Sequence, residues 1–384
     1  MRKWITALTI VTSLCLTCST LPSSAQASST VSIKEASIDS GGDRYRVTLT
    51  NPVYIKDGRV LLPIRELSQH ASLRTFWNAT NQTVSLYGAE HTIQLTIGSQ
   101  TAAVDGKIVR LDVPAQIING ATYLPLKFIA SALKQTVSWD SPNRIITLPS
   151  LYVMGMDHNL TYWINRDTKH VYQAIGQKRG NLIGKVNIDL YYSTDFEVKK
   201  LSESSAYIKA IEAVGVNNRI RTTERFIAAK NMIVKQSVLS IVGDFKDTSI
   251  DTSNGDYVLT NGKQTDFVTP TGQQTASYHW AAPLNPAYNY LVEHAEAPFL
   301  IVREYETQHL IVYNRETNKP VYLHEVLNLP AKEKQFLIQA AADRFAYPSE
   351  DSIITFVKND NGTLSFRYTF ASDHSTHTYT YKLD

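Results

Sequence analysis

Few residues of this chain are of types and spacings that could do chemistry, and they are scattered. Glu293-His294-Ala295-Glu296 sets two carboxylates three positions apart, a spacing that shares one face of a helix and could serve as an acid–base pair. Pro298 follows closely and keeps any helix there short, so the other reading is a solvated loop. Asp373-His374-Ser375-Thr376-His377 offers an acid and two imidazoles, the ligand types of a metal site. In a strand that spacing sends the two imidazoles to opposite faces, so one would have to sit in a turn, and no metal is assigned there. Trp280, Pro283, Pro286, Tyr288 and Tyr290 form an aromatic, proline-rich cluster. Flat aromatic faces could hold sugar rings or an extended peptide, or the same aromatics could pin their loop to a sheet. Trp280, Tyr288 and Tyr290 are the candidate ligand-binding residues. The sequence carries no Gly-x-Ser-x-Gly elbow, no Gly-x-x-x-x-Gly-Lys phosphate loop and no His-Glu-x-x-His helix. No catalytic residue and no cofactor is assigned.

The first 27 residues read as a secretory signal peptide. Arg2 and Lys3 precede an uncharged, mostly apolar stretch at 5–18, and Ala25-Gln26-Ala27 is a small-x-small cleavage site. A lipoprotein signal using Cys15 or Cys18 is the runner-up, and the residues before these cysteines lack the usual small-residue pattern. Both cysteines of the chain lie in this leader, so the processed protein has no disulfide, thiolate ligand or cysteine nucleophile. Without Arg2 and Lys3, the 38 basic residues fall to 36 against 35 acidic ones, which gives no electrostatic case for nucleic acid. No later apolar run reaches the roughly 18 residues of a membrane-spanning helix, and the polar end TYTYKLD carries no sorting tail. Location outside the cytoplasmic membrane, secreted or in the cell envelope, is the expectation.

The elements behind these residues are partly legible. Superposing Pro63 on Pro125, an offset of 62, brings Gly58 onto Gly120, Leu62 onto Leu124, Arg65 onto Lys127, Leu67 onto Ile129 and Trp77 onto Trp139 without a gap. A duplication is the reading. In each copy a short β-prone run ends at a proline suited to the first turn of a helix. Ile64, Leu67 and Ala71, or Leu126, Ile129 and Leu133, then follow at helical spacing, and the tryptophan begins a second strand. Each copy is thus a β-α-β-β unit, with Trp77 and Trp139 expected as core plugs and Arg65 and Lys127 on the exposed side of the helix. Asp105-Gly106 between β-prone runs marks a hairpin. Residues 30–150 read as one domain with two internal repeats.

Leu-Pro-Leu/Ile-Arg/Lys, an apolar helical face, then Trp-Asp/Asn fourteen residues after the proline resembles the copper amine oxidase N-terminal-like, or stalk, domain. The resemblance covers residues 33–149 and is carried by Pro63, Arg65, Trp77, Pro125, Lys127 and Trp139. It implies a structural module abundant in exported proteins of spore-forming Gram-positive bacteria. The family usually has glycine at the helix end, where Ser72 and Lys134 stand here. A left-handed cap without glycine costs about 1 kcal/mol, so a differently built turn is expected. Amine oxidation is rejected, because no His-x-His occurs and Asn289-Tyr290-Leu291 lacks the acid of a tyrosine-derived cofactor site.

Residues 151–384 resemble no family and read as a β-rich domain. Hairpins are expected at 162–172 and 310–322, strands at 185–192, 233–242, 352–358, 363–370 and 376–382, and helices at 201–214 and 332–345. The polar stretch 244–282 reads as an exposed hairpin and loop with Asn261-Gly262 at its tip. The fold class is α+β: a duplicated β-α-β-β stalk-like domain, then a β-rich α+β domain. The expected function is a non-enzymatic envelope scaffold or binding protein, the stalk serving as spacer or docking module and cell-wall polymer or an envelope protein as partner. The alternative is a secreted hydrolase of wall glycan or peptide using Glu293 and Glu296.

Overall fold

The structure is a computed structural model that describes residues 30–33, 36–39, 46–191, 194–215, 217, 219–243, 245–342 and 353–383. The leader at 1–27, with Cys15 and Cys18, lies outside them. The protein is mostly β-sheet, with four α-helices among the described residues. None of its helices there is long and apolar enough to cross a membrane.

The N-terminal unit holds three sheets. In the first, strands Arg59–Pro63 and Ala121–Pro125 pair antiparallel, with Leu62 opposite Leu124. Each runs straight into a helix, α1 (Ile64–His70) and α2 (Leu126–Leu133). The junction residues Pro63 and Pro125 have φ −66° and −64°, the value that proline fixes and that both strand end and helix start accept. The helices bury Ile64 and Leu67, and Leu126, Ile129 and Leu133, in one core running from Ala36 to Leu148. At Asp105-Gly106 the hairpin turn has φ 51° and 78°, the doubly positive turn that matches strand twist. Past the helices, Ser72 and Lys134 sit in the left-handed region at φ 52° and 54°. The expected departure from a left-handed cap is thus corrected: the backbone turns that way in both places without glycine. At Ser72 tertiary bonds hold it, since the hydroxyl donates to the Tyr152 carbonyl (2.9 Å) and the Ser72 carbonyl accepts the Trp163 indole (2.7 Å).

Residues from 152 onward form five successive antiparallel meanders. Sheet I is Tyr152–Asp157, Leu160–Asn165, His170–Ile175 and Asn181–Lys185. Sheet II is Asp195–Lys200, Ala206–Val214, Ile220–Ala229 and Met232–Val242. Sheet III is Thr252–Ser253, Asp256–Thr260, Gln264–Val268 and Gln274–His279. Sheet IV is Tyr290–Glu296, Phe299–Glu304, Leu310–Asn314 and Lys319–Tyr322. Helices α3 (Leu323–Val326) and α4 (Ala331–Ala342) lead on to sheet V, Thr355–Asp360, Thr363–Thr369 and Thr376–Lys382.

The sheets stack face to face in chain order, and the period of two along each strand sorts side chains between neighbours. In sheet II, Ile208 and Phe226 pack against Tyr162 and Ile164 of sheet I, while Tyr207 and Ile227 pack against Tyr257 and Leu259 of sheet III. In sheet IV, Leu300 and Val302 join Val258 and Phe267 of sheet III, while Phe299 and Ile301 join Leu364 and Phe366 of sheet V. Each meander is built like a propeller blade, but the series does not close on sheet I. The free face of sheet I, with Trp163 and Tyr172, is covered by Ala89 of the N-terminal unit. At the far end, sheet V turns Arg367, Thr378, Thr380 and Lys382 to solvent, the polar outer face a terminal unit of a stacked array needs.

Three expectations are corrected here. Residues 201–214 hold no helix but the strand Ala206–Val214; its alanines mimic a helix former, and they are small because sheet I lies against them. The strand expected at 185–192 ends at Lys185. Within 244–282 the hairpin expected around Asn261-Gly262 is present, but it is not exposed. Residues 252–279 form sheet III, sandwiched between two others, and the turn is packed on Asn289, since a Cβ at Gly262 would lie 2.5 Å from Asn289 Oδ1.

Candidate functional site

The seam between sheets II and III carries a cleft of about 450 Å3 walled by Phe196, Glu197, Lys199, Tyr207, Asp251 and Tyr257. Tyr207 and Tyr257 stack at 4.8 Å, and the Lys199 ammonium lies 5.6 Å from the Tyr257 ring centre, within cation–π range. Beneath them, Asp251 accepts hydrogen bonds from the Tyr207 hydroxyl (2.9 Å), Lys209 (3.0 Å) and Arg225 Nε (3.3 Å). Arg225, wholly enclosed, also donates to Asp247 at 2.6 Å. Its Nη1 has no partner among the described residues.

The electrostatics of this network are fixed. Burial would raise the Asp251 carboxyl, but Lys209, the Tyr207 hydroxyl and Arg225 outweigh it and hold the group below its usual range. Burial, with the Asp251 charge, pushes the Tyr207 phenol far up, while the Arg225 charge opposes. Burial works against the Arg225 charge, and Asp247 more than restores it. The Asp251 carboxylate is therefore held ionised, the Tyr207 phenol neutral and the Arg225 guanidinium charged across neutral pH. What the arrangement can offer a partner is the exposed Lys199 ammonium and half-exposed Asp251 carboxylate oxygens, laid over an aromatic pair that is itself buried. On the same seam a second cleft of about 530 Å3 is polar, lined by Lys235, Ser237, Asn261, Gln264 and Asp266. There Lys235 and Asp266 pair at 2.9 Å.

The carboxylates singled out in the sequence are not brought together. They lie on a strand, neither on a helix nor in a loop, and a register slip between Val292 and His294 separates them. Glu293 receives Arg303 through Nε (2.6 Å) and Nη2 (2.9 Å) and the Thr248 hydroxyl (2.6 Å). Glu296 lies 3.4 Å from His294. The aromatic cluster is the pinned loop: Trp280 and Tyr290 are fully enclosed. The Trp280 indole donates to Thr265 Oγ1 (3.1 Å) and the Tyr290 hydroxyl to Glu304 (2.9 Å). Neither offers a face to solvent, and Tyr288 packs half-buried on the same core. His374 occupies a turn at φ 59°, and His377 stacks on Phe370 at 4.2 Å, its Nε2 2.7 Å from Ser375 Oγ.

Of the motif residues, Arg65 is exposed, and Lys127 is exposed with Asp112 3.8 Å away. Trp139 packs against the core. Trp77 does not plug the core as expected: 47% of it is exposed. The seam residues Tyr207, Arg225, Asp251 and Tyr257 were missed in the sequence, one under a helical reading and two within a stretch read as exposed loop. The alternation in Asp256–Thr260 and Gln264–Val268 around Asn261-Gly262 was the available signal.

Residues 43–148 match the family model described as the copper amine oxidase N-terminal domain. The residues there do not fit a copper centre, for the segment has only two histidines, His70 and His91, and His91 is bonded to Asp105 at 2.8 Å. No curated protein matches the chain. Among solved structures, the WD40 domain of SCAP from fission yeast is 10% identical, with a TM-score of 0.23 over 84% of this chain and 65% of that one. AztD from Citrobacter koseri is 8% identical, with a TM-score of 0.22 over 91% and 93%. The acylaminoacyl peptidase of Pyrococcus horikoshii is 8% identical, with a TM-score of 0.21 over 80% and 44%. Likenesses this slight assign neither fold nor function. The family model and the proline-led strand–helix units agree in likening residues 43–148 to the copper amine oxidase N-terminal domain.

Proposed function

We propose that the protein is an exported, non-enzymatic scaffold or binding protein of the cell envelope. The copper amine oxidase N-terminal domain is its spacer or docking module, a duplicated β-α-β-β unit whose copies meet at Leu62 and Leu124. The stacked meanders carry the partner surface, for cell-wall polymer or an envelope protein. The observation that carries this reading is the cleft between sheets II and III. Its exposed Glu197 and Lys199 and the half-exposed Asp251 carboxylate suit recognition of a polar chain, and Lys209, the Tyr207 hydroxyl and Arg225 hold the Asp251 carboxyl below its usual range. Glu293 is bound on both oxygens by Arg303, which speaks against its use as the acid of the hydrolase alternative.

The test is fractionation of cells producing the full chain, followed by sedimentation of the purified protein with cell-wall preparations. Recovery outside the cytoplasmic membrane and wall association that weakens on Lys199→Ala, at an exposed position of the cleft, are expected. Purely cytosolic recovery, or no wall association, would overturn the reading.

A further inference from the structure

The seam between the N-terminal domain and sheet I encloses a separate cavity of about 320 Å3. That volume is within the range of small-molecule sites, which concentrate at interfaces between domains. Its apolar walls come from both sides, with Leu73 and Leu133 from the N-terminal domain and Leu151 from the approach to sheet I. Several of the polar groups that line it are acceptors. Helices α1 and α2 both end here, since Ala71-Ser72-Leu73 and Leu133-Lys134-Gln135 line the same space. Helix C-termini carry partial negative charge. Gln135 Oε1 is buried and has no hydrogen-bond partner among the described residues. Glu90 adds a carboxylate.

Several of the donors nearby are already engaged. The Tyr152 hydroxyl donates to Glu90 at 2.5 Å, and the Ser72 hydroxyl donates to the Tyr152 carbonyl at 2.9 Å. His91 is held by Asp105 at 2.8 Å. Arg179 reaches only the Glu90 backbone carbonyl, at 3.3 Å. Burial and the Glu90 charge push the Tyr152 phenol up, which keeps it a donor to Glu90. Lys134, on the rim, is exposed to solvent. A buried acceptor without a donor is a standing deficit in a folded protein, and a bound ligand that brings donors removes it.

We propose that this cavity binds a small organic cation, an alkylammonium head on a short apolar stem. The ammonium supplies three donors, for Glu90 Oε1 or Oε2, for Gln135 Oε1 and for the carbonyl ends of the helices, while the stem lies against Leu73, Leu133 and Leu151. Because both sides of the seam form the walls, the bound cation ties the N-terminal domain to the first meander.

The experiment is calorimetric titration of the full chain with n-butylammonium, with n-butanol as the uncharged analogue of the same shape. Saturable binding of the ammonium and none of the alcohol is expected. Glu90→Gln and Gln135→Leu, each removing one acceptor, should weaken binding about tenfold or more. Glu90 is exposed, so its variant keeps the fold, and Gln135→Leu tests the buried acceptor independently. Equal binding of butanol, the absence of saturable binding, or unchanged affinity in both variants would each overturn the proposal. So would calcium ion binding here in place of the ammonium, for then the acceptors form a hard-cation site.

Discussion

Glu224 gives the sharpest test of the stacked arrangement. It is completely enclosed between sheets I and II. One oxygen accepts the backbone amides of Asn187 (2.8 Å) and Ile188 (2.7 Å), and the other has no partner among the described residues. Burial pushes its carboxyl up to about 7 from an ordinary 4.5, against the opposing pull of those two amides and of Lys169. Between these values the unfolded chain is ionised while the folded chain keeps the proton, so the folded state binds more protons and stability falls as pH rises. The loss begins near pH 4.5, is complete above about 7, and amounts to about 3 kcal/mol at about 1.4 kcal/mol per pH unit. Glu224→Gln removes this titration. Its carbonyl can keep the two amide bonds, and its NH2 falls where the second oxygen has no partner. That defect shifts stability by about 1–3 kcal/mol at every pH alike. Urea unfolding of both proteins from pH 4 to 8.5 at constant ionic strength isolates the effect. The stability difference, variant minus parent, should climb by about 3 kcal/mol across the window and be flat on either side. A difference independent of pH would mean that Glu224 is not sealed between the sheets, and the face-to-face packing of I on II would be wrong at that point.

Other consequences follow from the same geometry. Glu293→Gln leaves the Arg303 guanidinium enclosed without its bidentate anion and should lower stability by about 3–5 kcal/mol in denaturant titrations. Glu296→Gln, at a more open position, should stay within about 0.5 kcal/mol. Lys134→Gly relieves an exposed residue held at φ 54° and should raise stability by about 1 kcal/mol, read from the same unfolding curves. Lys199→Ala removes the exposed cation of the cleft and leaves the buried Tyr207–Tyr257 stack in place. It should weaken wall association several-fold while the circular dichroism of the protein stays that of the parent.

What could be read before the structure was local. Hairpins at Leu160–Asn165 with His170–Ile175 and at Leu310–Asn314 with Lys319–Tyr322 follow from alternation and polar turns. The final meander and helix α4 were legible for the same reason. Residues 206–214 misled because their small side chains fit both periods, and only the presence of sheets on both sides explains why they are small. The recognition cleft was illegible, since Tyr207, Arg225 and Asp251 come from three separate segments and meet only when sheet III lies on sheet II.

By itself the sequence determined the proline-led strand–helix units at Pro63 and Pro125, the Asp105-Gly106 turn and the meander hairpins. These depend on backbone angles and on side chains a few residues apart, which neighbours in the chain dictate. The tertiary structure alone decided that Trp77 lies open while Trp139 is packed, that Glu293 answers Arg303 and not Glu296, and that Glu224 is sealed between sheets. Each of those outcomes rests on which face of a strand meets another part of the fold, and such contacts are set by burial across the stack, not by the residues alongside.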